Sequence, residues 1–185
     1  MSAQEFLAAI TGHPDDLRLA LEALRTAGQP FCLIGGLAVN HYTEPVVTLD
    51  ADFAVAAAAD VAPALRARGF VVEEQAHSIN AHLPGSRLRL QITVNPRSAA
   101  FPARAVPGRV LGHEVPVACL EDLVQGKLEA LADSARHPSK RAKDEADLVR
   151  LAETHPQVLA WIPPGVAPRV DALRGPGPAG GATGF

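Results

Sequence analysis

Apolar residues recur along this chain with two periods, and the changes from one period to the other lay out its elements. Leu17, Leu21 and Leu24 repeat at helical spacing, so residues 14–27 are expected to form a helix, with Pro14 in its first turn and Gly28 at its end. Residues 3–11 read as a preceding helix. Phe31-Cys32-Leu33-Ile34 is a fully apolar run stopped by Gly35-Gly36, which predicts a short buried strand. Residues 37–42 follow as a short helix opening on the second glycine. Across residues 48–55, Asp50 and Asp52 alternate with Leu49, Ala51 and Phe53, the period of a half-buried strand. Residues 59–68 read as a helix ended by Gly69.

A strand-rich stretch comes next. Residues 70–74, 78–83 and 87–94 are expected strands, the last two joined through Pro84-Gly85-Ser86, and residues 110–117 form a hairpin around Gly112. Helical periodicity returns over 120–131 and again over 138–153, where Ala142, Ala146, Leu148, Val149 and Leu151 supply an apolar face. Residues 155–161 read as one more short helix. From 163 to 185 the chain turns rich in proline and glycine. Such a segment buries too little apolar surface to offset its ordering entropy, so it is read as a flexible tail behind a single domain of residues 1–162.

Composition narrows the class. Hydrophobic residues make up 48% and charged residues 20%, as in a soluble globular protein. Aromatics are only 4%, which leaves Leu, Val and Ala to fill the core. A formal net charge of −3 gives no general attraction to polyanions, so contact with nucleic acid would need a local basic patch. Cys32 and Cys119 lack metal-type spacing and read as buried free thiols. No apolar run reaches spanning length and no signal-peptide pattern opens the chain, so no membrane association and a cytoplasmic setting are expected. The histidines lack ligand spacing; His41 stands near the glycine turn, where it could face a cleft.

The segment with chemistry is Ile34-Gly35-Gly36, thirteen residues, then Asp50-Ala51-Asp52. On a strand, residues two apart share a face, so Asp50 and Asp52 project side by side. Crowded carboxylates raise each other's proton affinity, and a divalent cation removes the conflict. Hard oxygen ligands of this kind suit Mg²⁺, which commonly takes one or two protein carboxylates plus phosphate oxygens. The glycine pair closes a strand and opens a helix, so its backbone N–H groups can approach a phosphate. Either half alone would be a tight turn or a solvated strand face; the two in this order suit metal-assisted transfer of a nucleotidyl group.

These residues resemble the motif of the nucleotidyltransferase superfamily, here Leu33-Ile34-Gly35-Gly36-Leu37-Ala38-Val39 and Thr48-Leu49-Asp50-Ala51-Asp52-Phe53. Within it the chain is most similar to small bacterial proteins related to the AbiEii-type toxins. Leu120-Glu121-Asp122-Leu123-Val124-Gln125-Gly126-Lys127-Leu128 resembles their lysine-bearing helix, and Arg141-Ala142-Lys143-Asp144-Glu145-Ala146-Asp147-Leu148 their Arg-x-Lys-Asp-x-x-Asp-Leu helix. The resemblance implies an α/β fold of the α+β type: a mixed β-sheet flanked by helices, with a C-terminal helical segment. It implies a site in which Asp50 and Asp52 bind Mg²⁺, Gly35, Gly36 and Thr48 bind nucleotide, Lys127 contacts triphosphate and Asp144 borders the cleft. From the residues alone, Lys127 could equally be a solvated helix lysine, and Asp144 a surface ion-pair partner of Arg141 or Lys140.

Two departures stand out. Val46 occupies the place of an arginine that many relatives carry in an Arg-x-Thr element, although Thr48 remains. Gln91, on the strand of residues 87–94, stands where many nucleotidyltransferases carry a third carboxylate, and an amide accepts no proton at neutral pH. Two functions are therefore open. One is Mg²⁺-dependent transfer from a nucleoside triphosphate to an RNA end, a protein hydroxyl or a small molecule, with a toxin role and a cognate antitoxin implied by the family. The other is a degenerate domain that binds nucleotide or a partner without chemistry.

Overall fold

The computed structural model describes residues 11–173 except Pro14. Helix α1 (Asp16–Thr26) turns Leu17, Leu21 and Leu24 into the core and ends near Gly28, whose φ of +72° suits a residue without a Cβ. The expected helix 3–11 lies outside the described residues apart from Thr11, as does Pro14. Strand β1 (Phe31–Ile34) follows, then helix α2 (Gly35–Tyr42), which begins at the first glycine of the pair rather than the second. Strand β2 (Asp50–Val55) and helix α3 (Val61–Arg66) continue the chain.

Strands β3 (Val71–Glu74), β4 (Ser78–His82) and β5 (Arg89–Thr93) then form an antiparallel run. A 3-10 turn (Pro96–Ser98) and helix α4 (Phe101–Arg104) lead to the hairpin β6 (Val106–Val110) and β7 (His113–Val117). The hairpin starts earlier than its sequence suggests, because Pro107 and Gly108 weaken the strand signal; β6 lies at the sheet edge, where a missing N–H is tolerated. Leu111 and Gly112, both at positive φ, make its two-residue turn. Helices α5 (Leu120–Ala132) and α6 (Pro138–Thr154), a 3-10 segment (Pro156–Trp161) and helix α7 (Ala167–Leu173) complete the described chain.

The seven strands form one mixed sheet in the order β3-β4-β5-β2-β1-β7-β6. Strand β2 sits inside it, antiparallel to β1 and parallel to β5. Its two faces differ: Ala51 and Phe53 are fully buried, as are their neighbours Leu90 and Ile92, while Asp50 and Asp52 face away with Arg89 and Gln91. On that second face a smaller apolar cluster of Cys32, Ala54, Phe101 and Ala118 packs beneath α4. Helices α5 and α6 pack on each other and on α2.

Part of the segment read as a flexible tail from residue 163 is helical, α7. Helix α7 docks on α6 through Val170, which is fully buried, and Val166 just before the helix packs against the core. Arg169 pairs with Glu145 at 2.7 Å. Residues 174–185 lie outside the described residues.

Candidate active site

The end of β1 brings the two halves of the motif together. Ile34 is the register partner of Asp52, so the chain turns into Gly35 directly beside that carboxylate. Gly35 has φ +66°, and a Cβ there would fall within the Asp52 side chain. The glycine thus serves first to seat Asp52. Gly36, the next residue, opens α2 with ordinary φ; a Cβ on it would lie 3.6 Å from Thr48 Oγ1 and 3.8 Å from Lys143 Nζ. The space over Gly36 is therefore lined by a hydroxyl and an ammonium.

Asp50 and Asp52 project on one face of β2 as their period requires. Desolvation, reinforced by repulsion from Asp50, pushes the Asp52 carboxyl up to about 6, against the opposing pull of Lys127, Lys143 and Lys140. Asp50 has an exposed neighbour, Arg89 Nε at 3.6 Å, and its backbone N–H donates to Thr48 Oγ1 at 3.3 Å. A half-buried carboxylate that resists ionisation beside a second one is a setting that a hard divalent cation would relieve, so these residues fit Mg²⁺. Among the described residues, no group of three or more His, Cys, Asp or Glu side chains converges as a metal site. Two protein ligands completed by water and phosphate oxygens is the usual arrangement for Mg²⁺.

Gln91 is the register partner of Asp52 on β5, so the amide does stand beside the aspartate pair. A cleft of about 340 Å³ opens there, lined among others by Gly35, Asp52, Gln91, Arg97, Lys127 and Asp144. Asp122, also on its wall, is held by Arg104 through two bonds of 2.6 and 3.1 Å.

Lys127 reaches this cleft as a paired charge. Its Nζ donates to Asp144 Oδ1 at 3.0 Å and Asp147 Oδ2 at 2.6 Å, and all three residues are buried. Burial works to lower its pKa, but the two carboxylates outweigh that and hold the ammonium above the usual lysine range. Asp144 also accepts from Arg136 at 2.6 Å, and Asp147 from Arg150 at 3.0 Å. Arg150 then donates to Asn40 Oδ1, Thr43 Oγ1 and the Glu44 carbonyl. Asn40 in turn clasps the backbone of Val46 through both its amide atoms. A continuous chain of polar contacts thus straps the loop between α2 and β2 to the helix pair.

Asp144 is accordingly a buried residue bound to Lys127 and Arg136, and the surface pairing with Arg141 or Lys140 is not formed. His41 packs against β6, with its ring 3.1 Å from where a Cβ on Gly108 would stand, and lies outside the cleft lining. Of the residues singled out by sequence, Gly35, Asp52, Lys127 and Asp144 line the cleft, while Gly36, Thr48 and Asp50 lie outside its lining, Gly36 near Thr48 and Asp50 on the same strand face as Asp52. Lys143, Asp147, Arg136 and Arg150 were given no role by sequence. The spacing of Lys140, Lys143, Asp144 and Asp147 (i, i+3, i+4, i+7) was the signal that they share one helix face.

The sequence profile described as "Nucleotidyl transferase AbiEii toxin, Type IV TA system" matches residues 19–163. Among solved structures, a Helicobacter pylori protein assigned as a nucleotidyltransferase superposes with a TM-score of 0.53 at 18% identity, covering 78% of this chain and 69% of that one. JHP933 from Helicobacter pylori gives a TM-score of 0.52 at 18% identity, with 78% and 67% covered. The antibiotic-resistance factor ANT(2'')-Ia gives 0.52 at 14% identity, with 84% and 87% covered. At these identities the likeness establishes a shared fold, the nucleotidyltransferase fold. No curated protein matches the sequence at a significant level. Among the described residues no helix is long and apolar enough to cross a membrane.

Proposed function

The chain belongs to the AbiEii nucleotidyltransferase family, and from that premise we propose that it transfers a nucleoside monophosphate from a triphosphate to an acceptor hydroxyl, with Mg²⁺ as cofactor. The observation that carries the reading is the placement of Asp52 over Gly35 with Asp50 alongside, which sets two carboxylates against a phosphate-accepting turn. Asp50 and Asp52 would hold the metal. When bound, Mg²⁺ would supply charge neutralisation for the triphosphate and Lewis-acid activation of the phosphorus under attack. The N–H groups that open α2 at Gly35-Gly36 would donate to phosphate oxygens, helped by the helix dipole, with the Thr48 hydroxyl near Gly36. Lys127 holds Asp144 on the cleft wall and ties it to Asp147.

In the transfer, the acceptor oxygen bonds to the α-phosphorus while the bond to the β-phosphate breaks and pyrophosphate leaves. Gln91 takes no proton, so the hydroxyl proton passes to water. The acceptor is an RNA end, a protein hydroxyl or a small molecule. A toxin role, with a cognate antitoxin, and a cytoplasmic location come with the family and form part of this proposal.

The neutral Gln91 beside Asp52 favours a second reading, a domain that binds nucleotide without chemistry. Triphosphates labelled on the α-phosphate, offered with total RNA, protein lysate and small hydroxyl acceptors, separate the two. Transfer by wild type that drops on the order of 10²-fold or more in Asp52→Asn supports the enzyme. Nucleotide binding without transfer to any acceptor supports the binding domain.

A further inference from the structure

We propose that Lys143, rather than Lys127, is the lysine that neutralises the bound polyphosphate, while Lys127 is a positioning residue; this rests on the nucleotide-binding reading above. The charge of Lys127 is already neutralised within the protein. The Lys127 ammonium is enclosed by Asp144 and Asp147 at 3.0 and 2.6 Å, and it would have to abandon two buried carboxylates to reach a phosphate. Breaking a buried pair in this way leaves uncompensated charge and is strongly unfavourable.

Lys143 is in the opposite condition. It is exposed, and among the described residues its side chain makes no hydrogen bond or ion pair. The carboxylates near it on α6 are engaged elsewhere: Asp144 with Lys127 and Arg136, Asp147 with Lys127 and Arg150, Glu145 with Arg169. Yet its Nζ stands 3.8 Å from the position of a Cβ on Gly36, on the same side as Thr48 Oγ1 at 3.6 Å. A phosphate received by the N–H groups at the start of α2 would therefore meet this ammonium without any existing bond being broken. The buried cluster below acts as the foundation. Asp144 is the immediate neighbour of Lys143, and its bonds to Lys127 and Arg136 fix the stretch of α6 that carries the free amine over the turn.

Calorimetry with Mg²⁺-tripolyphosphate and Mg²⁺-ATP tests this on the full chain. Lys143→Gln should weaken binding of both by about ten-fold, the loss of one charge-assisted contact worth about 1.4 kcal/mol. Lys143→Arg should restore most of it, and the melting temperature should not move, because the side chain holds nothing in place. Lys127→Gln should instead lower the melting temperature. Wild type that binds both probes while Lys143→Gln binds them equally well overturns the role of Lys143 and leaves the nucleotide site standing. Wild type that binds neither probe overturns the nucleotide reading and this assignment with it.

Discussion

The carboxylate of Asp52 occupies the space that a Cβ on Gly35 would need. Gly35 directly follows β1 and Asp52 lies within β2, and register joins them, Ile34 opposite Asp52, so the glycine and the aspartate are one structural unit. Gly35→Ala should therefore act twice. It places a side chain at φ +66° and drives the aspartate out of its seat. A stability loss of about 1–3 kcal/mol from the backbone alone is expected, together with loss of Mg²⁺-dependent nucleotide binding. Chemical denaturation and calorimetry check the two effects separately.

Asp52 makes stability depend on pH and metal. Its folded pKa of about 6 lies above the ordinary 3.8, so the folded state binds the proton more tightly than the unfolded chain. Its favourable contribution is complete below about 4 and is lost as pH rises through about 6. In EDTA, Asp52→Asn should therefore melt higher than wild type at pH 7.5, with the gap closing towards pH 4. Added Mg²⁺ should raise the melting temperature of wild type and leave the variant unmoved. An identical Mg²⁺ response in both proteins would remove Asp52 from the metal site.

Lys127→Met should destabilise the fold by about 3–5 kcal/mol, because Asp144 and Asp147 stay buried with one counter-charge fewer. Combining it with Asp147→Asn should recover part of that loss in urea denaturation. Additive losses in the double variant would show that Lys127 and Asp147 are not coupled.

Val170→Asp should lower the melting temperature by several degrees, since a charge would enter a fully buried position between α7 and α6. A melting temperature equal to wild type would return α7 to the category of a dispensable tail.

Gln91→Asp should add a third carboxylate beside Asp52. Mg²⁺ affinity should rise and label transfer with it, while the metal-free protein should lose stability above pH 6 through added repulsion. Unchanged Mg²⁺ affinity would place the Gln91 side chain out of reach of the metal.

Much of the fold was legible in the chain because it depends on local periods. Phe31 to Ile34 could only be a buried strand, and the alternation through Asp50 and Asp52 fixes both carboxylates on one face whatever surrounds them. The hairpin turn at Leu111-Gly112 and the glycine after Ile34 were equally local. Elsewhere the local signals are weak. Pro107 and Gly108 hid the start of β6, α4 is only one turn long, and the single valine of α7, Val170, was too sparse an apolar signal to announce it.

By itself, then, the sequence determined the strands and helices, the paired aspartates and the glycine turn, because backbone period and steric freedom are properties of neighbouring residues. Which charges meet was decided only by the tertiary structure. Lys127 and Lys143 are both helix lysines near aspartates in the sequence, and spacing cannot tell them apart. Packing of α5 against α6 buries Lys127 among Asp144 and Asp147, where desolvation enforces pairing, and leaves Lys143 exposed above Gly36. The same packing turns Asp144 from a surface acid into a buried one, and register alone brings Gln91 beside Asp52. Burial and long-range register depend on the whole chain at once, and that is why no local pattern carries them.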